Sequence, residues 1–282
     1  MIKALHLIET GYFKLDGGAM FGVVPKSMWS KQQPPDENNL CSWALRCLLI
    51  ETSDQCILVD TGMGNKQDSK FRSFFHPHGH ETLLGSLETK GFSPEDITDV
   101  LLTHLHFDHC GGAVMALPSG ELVPTFPNAN YWSNYRHWEW AINPNEREKA
   151  SFLKENFVPL MEHGVLHFIE NDKSTHEWLP GIDIRFVYGH TEAMMLPEID
   201  FENRKFIYCA DLFPSSFHIP MPYIMSYDVR PLVTLQEKEI ILNQAAEHEH
   251  VLVFEHDPFT KAATVKRDER NRIVLDKVID IN

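Results

Sequence analysis

The chain has 282 residues, of which 43% are hydrophobic and 23% charged, and its 40 acidic and 25 basic side chains give a formal net charge of −15. This length allows one large α/β domain with a sizeable core, and the composition is that of a folded globular protein rather than a disordered one. The acidic balance, without any dense run of lysine or arginine, argues against a nucleic-acid substrate because a phosphate backbone would be repelled.

We expect neither an export signal nor a membrane-spanning segment in this chain. The sequence has no apolar run of membrane-spanning length. Its first residues lack the basic region and the long apolar core of a secretory signal. The five cysteines form no C-x-x-C pair and are typical of reduced core thiols. We therefore expect a cytoplasmic protein that acts on a small molecule and does not bind a membrane.

The first predicted elements are two strands that end at a sharp turn. Residues 43–50 and 55–59 are apolar enough for paired strands. The run Asp60-Thr61-Gly62 follows them, and its glycine permits a tight bend. Asp60 is thus placed where a buried carboxylate could orient another side chain. The alternative is an Asx turn, in which Asp60 only stabilises the bend.

A histidine-rich motif follows the next predicted strand. Leucine spacing first predicts a helix over 81–90, and the apolar run 100–102 then predicts a strand. Directly after this strand the chain reads H-x-H-x-D-H, with ligand-type side chains at His104, His106, Asp108 and His109. Imidazole and carboxylate are ligands that suit zinc, manganese or iron. The glycines after the motif suggest that a helix begins over 111–115.

The second half of the chain repeats one arrangement three times, in which an apolar strand ends at a potential ligand. The predicted strands 184–188, 206–210 and 251–254 lead to His190, Asp211 and His256. In layered α/β folds the ends of adjacent strands meet at one edge, so these side chains can surround a common centre. Before them, the aromatic residues 130–165 predict two helices, an insertion through which the chain could form a homodimer.

The number of ligand-type side chains exceeds what one tetrahedral ion needs. Side chains two residues apart on an extended segment project to the same side, so His104 and His106 can grip one ion together. We expect His190 to complete that site, Asp108, His109 and His256 to form a second one, and Asp211 to bridge the two. The cofactors expected are two divalent metal ions, with zinc favoured and manganese or iron as alternatives.

These residues resemble the metallo-β-lactamase superfamily over most of the chain. The resemblance rests on Asp60-Thr61-Gly62, the motif from His104 to His109, the Gly189-His190-Thr191 turn, Asp211 and His256. It implies an α/β fold, the four-layer αββα sandwich, with residues 1–282 as a single domain. It also implies that the seven ligands divide between the metals as above, and that Asp60 supports a ligand histidine without binding a metal itself.

Within this superfamily the chain is most similar to the branch of lactonases and organophosphate hydrolases that carry a bridging aspartate. Lactonases of this branch often have a tyrosine three residues after that aspartate, and here the position is Pro214. Tyr223, Tyr227 or His218 could replace it. The glycine-rich segment 17–25 resembles one that walls the substrate pocket in this branch. We expect an apolar pocket lined by Met20, Phe21, Met28, Trp29, Phe213, His218 and Tyr223.

The reaction that follows is hydrolysis of an ester, a lactone or a phosphoester in a small, partly apolar substrate. A metal-bridging hydroxide would attack, and Asp108 would carry a proton to the leaving oxygen. Two alternatives stay open from the sequence. One is a mononuclear iron oxidoreductase resembling persulfide dioxygenases, and the other is a sensing protein that binds a ligand without turning it over.

Overall fold

Two large β-sheets stack face to face in the computed structural model, which describes residues 1–281. The strands, in chain order, are β1 (Ile2–Asp16), β2 (Leu40–Thr52), β3 (Cys56–Val59), β4 (Asp99–Leu101), β5 (Val114–Ala116), β6 (Leu122–Pro124), β7 (Asn130–Ser133), β8 (Leu166–Phe168), β9 (Thr175–Leu179), β10 (Ile182–Val187), β11 (Met194–Phe201), β12 (Arg204–Tyr208), β13 (Val251–Val253), β14 (Ala262–Arg267) and β15 (Ile273–Val278). The first sheet has the order β1-β2-β3-β4-β7-β8, and the second has the order β15-β14-β13-β12-β11-β10-β9. Strands β5 and β6 form a separate hairpin.

Eight α-helices accompany the two sheets in the described part of the chain, and some of them cover the outer faces. They are α1 (Gly17–Phe21), α2 (Lys26–Trp29), α3 (Ser69–Phe75), α4 (Leu83–Thr89), α5 (Phe107–Cys110), α6 (Tyr135–Ile142), α7 (Val158–Glu162) and α8 (Pro231–His248). Helix α8 packs on the second sheet, and α4 and α7 contribute to the core on the outside of the first. The predicted four-layer αββα sandwich is confirmed. No helix within residues 1–281 is both long and apolar enough to cross a membrane.

Strand β2 is apolar at successive positions because both of its faces are covered. Leu48 and Ile50 belong to the core between the two sheets, whereas Cys47 and Leu49 belong to the core under the outer helices. Side chains alternate between the two faces of a strand, so a strand covered on both faces must be apolar throughout. The predicted strands over 43–50 and 55–59 are found as β2 and β3, and the helix predicted over 81–90 is found as α4.

The direction of the strands brings distant parts of the chain to one edge of the sandwich. Strands β3 and β4 run parallel in the first sheet, and β12 and β13 run parallel in the second. Parallel neighbours present their carboxyl ends at the same edge of a sheet. The segments that leave β3, β4, β12 and β13 carry Asp60, the motif beginning at His104, Asp211 and His256.

Two of the predicted helices are wrong in part. The segment 130–165 does not begin with a helix, because Asn130–Ser133 forms β7 and lies in the first sheet between β4 and β8. Its alternating burial is that of a strand, and only α6 and α7 follow as α-helices. The glycines at 111 and 112 begin a short 3-10 turn that leads into β5. A Cβ at Gly111 would lie 2.0 Å from the carbonyl oxygen of Met63, so glycine is needed there for close backbone approach.

The glycine-rich segment 17–25 near the amino terminus begins with the short helix α1, and α2 follows it directly. Asp16 caps α1 by accepting a hydrogen bond of 2.8 Å from the backbone N–H of Ala19. Trp29 at the end of α2 is only 1% exposed and folds back over Gly17. A Cβ at Gly17 would lie 2.4 Å from Cη2 of Trp29. The segment therefore packs its aromatic side chains inward.

Candidate metal centre

A buried cluster of histidines and carboxylates lies at the edge where the strand ends converge. Each of its members is at most 7% exposed. Two sets of ligand-type atoms are each close enough to hold one ion, namely His104, His106, His190 and Asp211, and Asp108, His109 and His256. The structure thus brings together all seven side chains that the sequence suggested as metal ligands.

In the first set, three ring nitrogens face one another. Nδ1 of His106 lies 3.0 Å from Nε2 of His104 and 3.2 Å from Nε2 of His190. Oδ2 of Asp211 lies 3.2 Å from Nε2 of His190. The helix α5 begins at Phe107, directly after His106, so the motif leaves its extended part after these two histidines.

The second set uses the first turn of α5. Oδ2 of Asp108 lies 3.8 Å from Nε2 of His109 and 3.7 Å from Nε2 of His256, and the two imidazole nitrogens are 3.4 Å apart. Asp211 joins the two sets, because its Oδ2 is 3.5 Å from Nε2 of His109 and its Oδ1 is 3.2 Å from Nε2 of His256. This carboxylate is therefore placed to contact ions in both sites.

In two histidines of the cluster, the hydrogen bond made by the outward-facing nitrogen determines which ring nitrogen carries the proton. Nδ1 of His256 lies 2.7 Å from the carbonyl oxygen of Ala44, which can only accept a hydrogen bond. Nδ1 of His190 lies 2.9 Å from Oδ1 of Asp228. Both Nδ1 atoms must donate, so Nε2 of each neutral ring carries a free lone pair that points into the cluster.

Asp60 orients two further histidines. It accepts hydrogen bonds from the backbone N–H of Thr103 at 2.8 Å and from its hydroxyl at 2.7 Å. Since that hydroxyl donates to Asp60, it accepts from Nδ1 of His104, 3.1 Å away. Oδ2 of Asp60 also lies 3.1 Å from Nδ1 of His109, which donates to it. Asp60 therefore holds one ligand-type histidine from each set.

Glutamates complete the outer layer of the cluster. Oε2 of Glu255 lies 3.0 Å from Nδ1 of His109, so this ring nitrogen faces two carboxylates. Oε1 of Glu148 lies 3.5 Å from Nε2 of His106 and accepts a hydrogen bond of 2.6 Å from the Thr191 hydroxyl. Both glutamates are at most 3% exposed. Every histidine of the cluster thus has a polar partner on the side away from it.

The backbone is strained beside two of these carboxylates. Asp60 has φ of 58° and Ala210, directly before Asp211, has φ of 42°. A positive φ is uncommon for residues other than glycine and costs free energy that the surrounding structure must supply. The turns that follow β3 and β12 therefore hold both carboxylates in defined positions at the cluster.

The charges in the cluster favour a bound cation. Burial alone would lower the pKa of His256, but the Asp211 carboxylate outweighs it and raises this pKa to about 9. Burial would raise the pKa of Asp211, but His109 and His190 outweigh it and hold this pKa well below its usual range. Buried carboxylates are costly unless a positive charge lies beside them. Five more carboxylates lie near, namely those of Asp60, Asp108, Asp228, Glu148 and Glu255.

The residues present fit divalent metal ions. Lone pairs of ring nitrogens converge at the centre of the cluster. The buried Oδ1 of Asp211 has no hydrogen-bond donor among the described residues. Nitrogen and carboxylate donors of this kind bind zinc, manganese and iron, and their chemistry does not select one of the three. The arrangement is a metal-binding site rather than a group of capping side chains.

A cavity of about 430 Å³ opens onto this cluster. Its lining includes the cluster side chains His106, Asp108, Glu148, His190, Asp211 and His256. The other lining residues are Leu15, Met20, Phe75, Phe107, Arg147, Ala150, Ser151, Met225, Ser226 and Tyr227. A cavity of this size suits a small molecule.

The predicted pocket wall is wrong except for Met20. The structure buries four of the expected residues in the core behind the cavity, namely Phe21, Trp29, Phe213 and Tyr223. Met28 is 52% exposed and does not line the cavity. For Phe21 and Trp29 the short helices α1 and α2 cause this difference, because the two rings stack on each other and Phe21 also stacks on His218 in the core.

Of the three residues considered as replacements for the lactonase tyrosine, only Tyr227 lines the cavity. His218 is 1% exposed, and its two ring nitrogens face the Ser215 hydroxyl at 2.7 Å and the Met20 carbonyl oxygen at 2.9 Å. Burial lowers the pKa of His218 to about 3. Tyr223 packs edge-on against Phe21. Both are structural residues of the core.

Several residues of the site could not be found from the sequence. Asp228 contacts His190 across 38 positions of the chain, and Glu148 contacts His106 across 42. Glu255 had a signal, because it stands at a strand end directly before His256. Arg147 stands in a segment without any ligand pattern, whereas Tyr227 was among the three residues that the sequence offered as replacements for the lactonase tyrosine.

Several known proteins are similar to this chain in sequence or in structure. The Metallo-beta-lactamase superfamily pattern matches residues 46–274. A protein named as a probable metallo-hydrolase from Mycobacterium tuberculosis is 25% identical over 273 residues, which cover 85% of each chain. An N-acyl homoserine lactonase from Bacillus thuringiensis is 27% identical over 200 residues, covering 67% of each chain. The crystal structure of a probable metal-dependent hydrolase from Staphylococcus aureus is 28% identical, with a TM-score of 0.86 and 98% of both chains covered.

Proposed function

Because the chain belongs to the metallo-β-lactamase superfamily, we propose that it is a dinuclear metal-dependent hydrolase that cleaves an ester, lactone or phosphoester bond in a small, partly apolar substrate. The observation that carries this proposal is the position of Asp211, whose two carboxylate oxygens face the two ligand sets. A single ion held by the first set would leave Asp108, His109 and His256 without a metal to bind. The lactonase relatives support a lactone as one of the candidate substrates.

The residues would divide as the geometry of the cluster suggests. His104, His106 and His190 would hold one ion, Asp108, His109 and His256 the other, and Asp211 would contact both. Zinc is the favoured metal, with manganese and iron as alternatives. When bound, such a pair of ions lowers the pKa of water toward neutrality and stabilises developing negative charge on oxygen.

Two side chains of the cavity are placed to act on the substrate. Asp108 lines the cavity and can carry a proton to the leaving oxygen. Tyr227 lines the same cavity. Burial raises the pKa of Tyr227 above its ordinary value, so the hydroxyl stays protonated at neutral pH. It can therefore donate a hydrogen bond to an oxygen that gains negative charge during hydrolysis.

The cavity wall supports an apolar part of the substrate. Leu15, Met20, Phe75, Phe107 and Met225 provide apolar surface next to the cluster. Burial of apolar area on binding is favourable at roughly 25 cal/mol per Å². A substrate with a short acyl chain next to its reacting carbonyl would fit such a wall.

A substrate screen with a metal-free control tests the proposal. Purified protein is assayed on γ-lactones with acyl side chains, 4-nitrophenyl esters and a phosphotriester, before and after removal of metal by a chelator. We expect turnover of at least one class, loss of that turnover on chelation, and recovery with zinc, manganese or iron(II). Oxygen consumption with one iron per chain and no hydrolysis would instead support the mononuclear iron oxidoreductase.

A further inference from the structure

Arg147 is the only lysine or arginine among the described residues that line the metal-site cavity. It comes from the segment 143–153, between α6 and α7, which also supplies Glu148, Ala150 and Ser151 to the cavity wall. The Arg147 side chain is exposed at the opening of the cavity. Its position is therefore that of a side chain which a substrate would meet beside the cluster.

The guanidinium of Arg147 is anchored across the cavity opening. Its Nη2 donates hydrogen bonds to the carbonyl oxygens of Ser226 and Asp228, the latter at 3.2 Å. These two residues flank Tyr227 on the opposite wall. Nε and Nη1 carry three further N–H groups, and within residues 1–281 none of them has a hydrogen-bond acceptor. The anchored group thus presents free donors in a fixed position.

The charge of Arg147 is also left without a carboxylate partner in the described part of the chain. By contrast, the nearby Arg136 and Arg230 both pair with Glu192. Acidic side chains outnumber basic ones by 40 to 25 in this protein, so acidic partners are plentiful. A guanidinium remains charged at any physiological pH and binds carboxylates through charge-assisted hydrogen bonds. Arg147 is accordingly an open site for an anion.

We propose that Arg147 binds a carboxylate at the far end of the substrate's acyl chain, so that the preferred substrates are esters or lactones carrying a free carboxylate. The inference rests on the proposed hydrolase function and specifies its substrate class. The reacting carbonyl belongs at the histidines, the apolar middle of the chain lies along Met20 and Phe107, and the carboxylate reaches Arg147 at the opening. The cavity of about 430 Å³ has room for such a molecule.

Two uncleaved amides of equal chain length test this assignment by binding. Adipamate carries a carboxylate at the end of a six-carbon chain, whereas hexanamide ends in a methyl group. Their affinities for the metal-loaded protein are measured by calorimetry for the wild type, Arg147→Met and Arg147→Lys. Lys149→Met is the matched control, because Lys149 lies two residues away, pairs with Glu146 at 2.9 Å and does not line the cavity.

We expect the wild type to bind adipamate about tenfold more tightly than hexanamide, as one charge-assisted hydrogen bond allows. Arg147→Met should abolish this preference without weakening hexanamide, Arg147→Lys should keep part of it, and Lys149→Met should keep all of it. A wild type without the preference, or an Arg147→Met variant that keeps it, overturns the assignment. An equal loss for both amides also overturns it, because Arg147 would then only hold the two walls together.

The failure of this inference can be told apart from failure of the proposed hydrolase function. Mono-4-nitrophenyl adipate and 4-nitrophenyl hexanoate are compared as substrates of the same proteins. If the hexanoate is turned over without any preference for the adipate, and both amides bind equally, the protein is a hydrolase in which Arg147 does not select substrates. If the preference for adipamate depends on Arg147 but no ester is turned over, the carboxylate site is supported and the hydrolase function is contradicted.

Discussion

Oδ1 of Asp228 lies 2.9 Å from Nδ1 of His190 and receives the hydrogen bond that this buried ring donates. The carboxylate is only 2% exposed. Burial raises its pKa, although the hydrogen bond from His190 opposes that shift. Asp228 thus fixes which nitrogen of His190 faces the cluster, and it does so from a segment that no metal-binding motif marks.

Replacing Asp228 with asparagine tests this orienting role. The amide keeps the size of the side chain but removes the negative charge opposite Nδ1, so the ring of His190 is held less firmly. We expect metal affinity to fall roughly 10- to 100-fold, measured by competition with a colorimetric chelator. Asp200→Asn is the control, since Asp200 is on the surface. Unchanged affinity in Asp228→Asn would show that His190 needs no orienting carboxylate.

Replacing Asp211 with asparagine tests the contact between the two ligand sets. The neutral amide cannot offer a charged oxygen to both sites, so we expect metal occupancy and hydrolysis to fall together. Elemental analysis of the purified variant gives the number of ions per chain. Full activity with both metals retained would contradict the bridging role of Asp211.

Replacing Tyr227 with phenylalanine tests the proposed hydrogen-bond donor. We expect kcat to fall roughly 10- to 100-fold, somewhat less than the loss of a strong oxyanion donor, while the metal content stays the same. Tyr223→Phe is the matched control, because Tyr223 packs in the core and does not line the cavity. Equal activity of both variants would show that the Tyr227 hydroxyl takes no part in hydrolysis.

Arg46 joins the two sheets close to the metal site, and its loss should destabilise the fold. It is 1% exposed, pairs with Glu9 at 2.9 Å, and donates to the carbonyl oxygens of Phe254 and Asp257 on either side of His256. Arg46→Met removes this buried donor from the two carbonyl oxygens, while Glu9 keeps Lys261 as a cationic partner. We expect the free energy of unfolding to fall by about 3–5 kcal/mol in urea denaturation.

Lys261→Met is the control for Arg46→Met. Lys261 contacts the same Glu9 at 3.0 Å, but its side chain is 52% exposed, and an exposed ion pair contributes at most about 1 kcal/mol. If the two variants lost the same stability, the burial of Arg46 would not matter.

Lys238 should make stability depend on pH. This lysine of α8 is fully buried and donates to the carbonyl oxygens of Pro220 at 2.9 Å and Tyr223 at 3.0 Å. Burial lowers its pKa to about 7, whereas an unfolded lysine titrates near pH 10.4. Between these values the unfolded chain holds more protons, so this group makes the folded state more stable as the pH rises, by up to about 1.4 kcal/mol per pH unit.

Urea denaturation of the wild type and Lys238→Met between pH 7 and 10 checks this sign. The variant lacks the titrating group, so its stability should rise less steeply with pH than that of the wild type. The variant should also be less stable near neutral pH, because two carbonyl oxygens lose their donor. Parallel pH profiles for both proteins would contradict the shifted pKa of Lys238.

The sequence was sufficient to predict which ligand-type side chains lie together at the sheet edge but not the cavity wall around them. Each group of ligand-type side chains follows an apolar strand, and the ends of neighbouring strands meet at an edge, so residues such as His104 and His256 could be placed together from local patterns. The wall depends on how loops fold back. Phe21 and Trp29 looked like pocket residues because of their aromatic rings, yet α1 and α2 turn them into the core.

The supporting residues were missed for a different physical reason. Glu148 and Asp228 are single carboxylates in polar segments, where acidic side chains are common and carry no periodic signal. Only the folded chain brings them to His106 and His190. In the same way β7 was mistaken for a helix, because four aromatic and polar residues are too short a run to show a period of two, and pairing with β4 and β8 decides their conformation.

Metal content per chain, measured by elemental analysis on protein purified without added metal, tests the central claim most directly. The two ligand sets that share Asp211 predict about two divalent ions per chain, and removal of both should abolish the hydrolysis found in the substrate screen. One iron per chain, with full occupancy and no hydrolysis, would contradict the dinuclear hydrolase.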